Sequence, residues 1–208
     1  MTNKVVLTIC AILATGAAPN DLASRLGWDD TYRTVIAGVE RHSPAETARE
    51  KIHLLELAAV SSPKNPLRAK VWEGVGSVTD QVVSSVRLEY GNANRGSYGV
   101  VWIIETPSAV LLFTHRDPAR SVRVDRKEYL RLWDELRRHK AWELESDADL
   151  FFDDATTYFL SLSSSGRTHQ AAIYAPPSDG RTAAQRGLRP SADEFAMVIA
   201  AVHGFGDR

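Results

Sequence analysis

The segments on either side of residues 165–166 constrain the fold more than any other part of the chain. If Ser-Gly at 165–166 forms a two-residue turn, Leu162 faces His169 and Leu160 faces Ala171 in an antiparallel pair. This register gathers apolar side chains on one face and mainly polar ones on the other, and a shift by one residue would abolish the separation. The sequence therefore predicts a β-hairpin with one buried face.

A helix over residues 125–139 supplies a partner for that buried face. Asp125 occupies the position of an N-cap, and Glu128 follows three residues later, which is the pattern of a capping box. An apolar stripe at helical spacing follows, consisting of Tyr129, Leu132, Trp133 and Leu136. We expect this stripe to pack on a sheet or on another helix.

Further strands and helices are predicted around these two elements. Apolar and polar residues alternate over residues 81–90, which indicates a strand with one face in water. Residues 98–105 and 109–115 are apolar at both odd and even positions, so we expect them at the centre of the sheet. A short strand at 121–124 precedes the helix, and a capping box at Ser191 begins a last helix. The predicted fold class is α+β: an antiparallel sheet of about six strands packed on one face by two helices, with a helical N-terminal segment.

The chain divides near a proline pair. A capping box at residues 43–46 begins a helix, which Pro63 and Pro66 end, while residues 67–78 show no clear period. We expect a signal peptide at 1–17, a helical N-terminal segment at 18–66 and an α+β domain at 67–208.

Residues 1–17 have the layout of a secretory signal peptide. Lys4 is followed by a short apolar run and a small-x-small cleavage site. Cleavage would remove Cys10, the only cysteine, and a chain without thiols suits an oxidising compartment. We therefore predict a periplasmic or secreted protein, or a cytoplasmic one if 1–17 is retained as a helix. The mature chain should have no transmembrane segment, because no run reaches the roughly 20 apolar residues that a bilayer requires.

No catalytic, metal-binding or nucleotide-binding motif is complete. Residues 91–97 are rich in glycine but lack the lysine of a phosphate loop, and the histidines show no ligand spacing. His169 could form an acid and base pair with Asp153 or Asp154, but the hairpin register separates them by roughly 26 Å. We predict no catalytic residue, metal ligand or cofactor.

Charge is distributed unevenly along the chain. Residues 116–140 contain nine Lys or Arg against five acids, and residues 141–154 contain six acids and no base. The predicted partner-binding residues are Trp142, Asp147, Asp149, Phe151, Phe152, Asp153 and Asp154. In such a surface aromatic side chains anchor a basic protein partner and carboxylates steer it. The favoured function is an exported, non-catalytic binding protein of the bacterial cell envelope, of the inhibitor or immunity type.

Two other functions remain open. Residues 22–28 resemble the second helix and turn of helix-turn-helix proteins, which implies a DNA-binding regulator. The net charge of −1, and acids at Asp29 and Asp30, argue against nucleic acid as a partner. The other alternative is a hydrolase of unknown substrate that uses His115, Asp117 and the arginines of residues 176–190.

Overall fold

The computed structural model describes Ala45 and residues 66–92, 97–118, 120–145, 156–174 and 191–207. In this part of the chain the elements are, in order, α1 (Pro66–Gly76), β1 (Ser84–Asn92), β2 (Ser97–Glu105), β3 (Val110–Thr114), β4 (Val122–Val124), α2 (Arg126–Arg138), a 3₁₀ turn (Ala141–Glu143), β5 (Thr157–Ser164), β6 (Arg167–Tyr174) and α3 (Ser191–Gly206). The six strands form one antiparallel sheet in the order β4-β3-β2-β1-β5-β6. The predicted α+β fold class is confirmed. The expected signal peptide and nearly all of the N-terminal helical segment lie outside the described residues.

The β5–β6 hairpin has the predicted register. Leu162 pairs with His169 and Leu160 with Ala171. Ser165 and Gly166 both have positive φ, 52° and 74°, which is the backbone of a two-residue turn whose twist matches that of the strands it joins. Leu160 is fully buried, so the apolar face of the hairpin packs as predicted.

Helices α2 and α3 cover this first face of the sheet. The Asp125 side chain accepts a hydrogen bond of 2.6 Å from the Lys127 amide, which confirms the predicted N-cap of α2. The buried residues of the two helices are Tyr129, Leu132, Leu136, Ala192, Phe195, Val198, Ile199, Val202 and Phe205. They pack in one cluster with apolar side chains of all the strands except β4, whose Val124 is half-buried against the same cluster. The predicted stripe of α2 therefore faces the sheet, and so do the buried residues of α3.

The second face of the sheet is also covered, so the prediction of a wet face on β1 is wrong. Ser85, Arg87 and Glu89 are 3%, 1% and 2% exposed. Helix α1, from the segment without a clear period, packs on this face through Val71 and Val75. Alternation shows which residues share a face, but it does not show whether another element covers that face.

Charged groups on this second face form a buried cluster. Glu89 bridges two arginines: its carboxylate oxygens lie 3.3 Å from Nε of Arg68 and 3.3 Å from Nε of Arg87. The Tyr98 hydroxyl donates to the same carboxylate at 3.1 Å, and Cζ of Arg87 lies 5.1 Å from the ring centroid of Trp102. Burial and the neighbouring Glu89 charge raise the pKa of Tyr98 well above its usual value, so the phenol remains a donor.

Replacing the shared carboxylate should strongly destabilise the domain. In Glu89→Ala two buried guanidinium groups lose a countercharge, which is expected to cost about 3–5 kcal/mol in the free energy of unfolding. Urea denaturation measures the change. The matched control is Glu135→Ala, because Glu135 pairs with Arg138 in the solvent-exposed part of α2 and such a pair contributes at most about 1 kcal/mol. Equal losses in the two variants would contradict a structural role for the buried cluster.

Candidate functional site

Of the seven predicted partner-binding residues, the structure describes Trp142. The other six, Asp147, Asp149, Phe151, Phe152, Asp153 and Asp154, lie outside the described residues, and their role remains a prediction. The predicted separation of His169 from Asp154 also stays a prediction, because Asp154 lies outside the described residues.

Trp142 is held in place by the residues that flank it. Helix α2 ends at His139, and Lys140 adopts a left-handed conformation with φ of 51° that redirects the chain into the 3₁₀ turn. Ala141 and Leu144 are buried in the first-face core, whereas Trp142 between them is half-buried. The backbone on both sides of the indole is therefore anchored to the domain.

The indole of Trp142 contacts three side chains. Its ring lies nearly parallel to that of Trp133, with centroids 5.9 Å apart and an interplanar angle of 13°. The imidazole of His169 is 6.3 Å away, and Cζ of Arg167 lies over the Trp142 ring at 5.0 Å from its centroid. We refer to Trp133, Trp142, Arg167 and His169 as the Trp142 surface. Exposed Glu143 and Glu145 follow Trp142 in the chain, at the beginning of the acidic stretch.

His169 is half-buried at the edge of the core. Burial lowers its pKa and the nearby Arg167 lowers it further, whereas a hydrogen bond with the backbone of Leu144 opposes the shift. Its Nε2 atom is buried and has no hydrogen-bond partner among the described residues. The surroundings therefore favour the neutral imidazole.

A second cluster of aromatic and ionisable side chains lies at one end of the sheet. Tyr90 of β1 stacks on Tyr158 of β5 with centroids 5.7 Å apart, and the imidazoles of His203 and His115 lie 4.5 and 5.9 Å from the Tyr90 ring. Gly99, directly opposite Tyr90 on β2, makes room for this ring, since a Cβ there would lie 2.1 Å from Tyr90 Cζ. The sequence interpretation missed this cluster, because its members come from β1, β5, α3 and the residue after β3, which only the tertiary fold brings together.

Burial favours the neutral form of His203. Burial is the main cause of its lowered pKa; His115 and Arg116 lower it further, and only Asp207 opposes them. Asp207 is itself paired with Arg116 at 2.7 Å. The pKa of Tyr90 is raised, chiefly by burial. Tyr90 and His203 are therefore favoured in their neutral forms, beside an exposed ion pair.

The residues of the hydrolase alternative are not brought into a catalytic arrangement in the described part of the chain. His115 accepts a hydrogen bond of 3.4 Å from the Val100 amide through Nδ1 and packs against Tyr90. The Asp117 side chain is exposed, and the arginines of residues 176–190 lie outside the described residues. Nor do three or more His, Cys, Asp or Glu side chains gather there as a possible metal site.

No described helix combines the length and apolar character needed to cross a membrane. Comparison of the chain with protein families, with curated proteins and with solved structures gives no match. The Trp142 surface is therefore the described feature from which a binding function is proposed.

The cluster around His203 makes stability depend on pH. Because the pKa of His203 is lowered in the folded protein, the unfolded chain binds the proton first as pH falls below about 6.5. The free energy of unfolding should therefore be highest above this pH and decrease towards the folded pKa. Urea denaturation at pH 7.5 and 5.5 should show a smaller decrease in His203→Phe than in the unaltered protein. An identical decrease would show that His203 contributes nothing to acid sensitivity.

Proposed function

We propose that the chain is an exported, non-catalytic binding protein of the bacterial cell envelope, of the inhibitor or immunity type, which binds a basic protein partner. The supporting observation is the position of Trp142: a half-buried indole, stacked on Trp133 and anchored on both sides, next to exposed Glu143 and Glu145. The partner would contact the Trp142 surface and the acidic stretch that follows it.

The fixed position of the Trp142 indole lowers the conformational entropy that is lost when a partner binds. An indole that is already fixed loses little conformational freedom when a partner covers it, so more of its contact energy appears as affinity. Tryptophan is also among the residues that most often dominate binding energy at interfaces. Carboxylates nearby attract a basic partner and accelerate the encounter.

The binding test uses peptides of defined charge. A ten-residue peptide rich in arginine and glycine, one rich in lysine and one rich in glutamate are titrated against the protein at low salt, with affinity measured by fluorescence anisotropy. The basic peptides should bind and the acidic one should not. Trp142→Ala should lower the affinity for the arginine-rich peptide at least ten-fold, because a central aromatic contact typically contributes about 2 kcal/mol or more to binding.

Trp72→Ala provides the matched control for that variant. Trp72 is also half-buried, but it packs on the opposite face of the sheet, 6.4 Å from Trp102. Its removal should leave peptide affinity unchanged once both variants are confirmed to be folded by circular dichroism. Changing Asp147, Asp149, Asp153 and Asp154 to Asn should weaken binding and reduce its dependence on salt. Unchanged affinity in both the Trp142→Ala and the four-site Asn variants would refute the proposed function.

Export has a separate test. If residues 1–17 are cleaved, mass spectrometry of the protein recovered from the cells that produce it should give Ala18 as the first residue. A chain that begins at Met1 or Thr2 would contradict export and favour the DNA-binding alternative.

A further inference from the structure

The guanidinium of Arg167 lies over the ring of Trp142. Arg167 is the first residue of β6, directly after the hairpin turn, and it is exposed, yet its Cζ lies 5.0 Å from the centroid of the indole. The face of an aromatic ring carries partial negative charge, and tryptophan attracts cations most strongly. The face of the Trp142 indole is thus a site for a cation, and Arg167 of the same chain occupies it.

Nothing else among the described residues fixes the guanidinium of Arg167. Two arginines of α2 contrast with it, because Arg137 pairs with Asp134 and Arg138 pairs with Glu135. Arg167 forms no ion pair with any carboxylate in the described part of the chain. A contact between an exposed guanidinium and a ring is weak, so another cation can replace it.

We infer that the face of the Trp142 indole that Arg167 covers is an arginine-recognition site, and that Arg167 occupies it in the free protein until an arginine of the partner takes its place. This inference rests on the proposed function and specifies the residue that the partner presents. The guanidinium is favoured over an ammonium group because it is planar and less strongly hydrated, and can lie flat on the indole. The negative charge of exposed Glu143, which directly follows Trp142 in the chain, also favours an entering cation.

The decisive variant is Arg167→Gln, which empties the site. It should bind the arginine-rich peptide about two- to five-fold more tightly than the unaltered protein, the range expected when an exposed cation–π contact no longer competes. The gain should be smaller for the lysine-rich peptide. It should disappear in the double variant with Trp142→Ala, since the site itself is then missing.

Arg137→Gln is the matched control, because it removes the same charge from an exposed position. Any gain it produces measures the general effect of a lower net charge, so the gain from Arg167→Gln must exceed it. Equal gains from the two variants, or weaker binding in Arg167→Gln, would overturn the inference. The proposed function would survive that result provided Trp142→Ala still weakens binding. If Trp142→Ala has no effect in the unaltered background, the inference fails, and the proposed function fails with it when the four-site Asn variant also leaves affinity unchanged.

Discussion

Burial of the charged side of β1 constrains the whole structure. Arg87 and Glu89 alternate with apolar residues that point to the opposite face, so both faces of this central strand are buried. A charge is tolerated in a protein interior only when it is paired, and Arg68 of α1 completes the pairing. Shifting β1 by one residue would place these charges among the side chains under α2 and α3. The register is therefore specified from both faces.

The candidate site follows from that register through packing. With β1 fixed, Leu88 lies opposite Leu160, and β5 and β6 extend the apolar face beneath α2. The inward residues of α2 are buried in this face, which leaves Trp133 at its margin. The 3₁₀ turn then places Trp142 beside Trp133, while the hairpin brings Arg167 to the same edge. The Trp142 surface is a product of the fold and needs no further element to assemble it.

Local patterns predicted the parts of the fold that depend on neighbouring residues. The turn at residues 165–166, the cap at Asp125 and the stripe of α2 are each encoded within a few positions, and each is confirmed. The cover over the second face was not predictable in this way, because α1 shows no clear helical period and its packing depends on distant strands. The cluster at Tyr90 was missed for the same reason, since it requires β1 to pair with β5. Trp142 was identified from composition, whereas its contact with Arg167 depends on the tertiary fold.

His169 and His203, two of the half-buried histidines, bear on the choice between catalysis and binding. His169 packs against an indole and His203 against two tyrosine rings, and burial lowers both pKa values. A general base must come within hydrogen-bond distance of the proton it removes, and both imidazoles are packed against aromatic rings. On the proposed function, the Trp142 indole and the cation over it serve recognition. Arg167 would then cover the apolar ring in the free protein, and a partner would have to offer a better cation to displace it. Specificity then arises from competition within the chain itself.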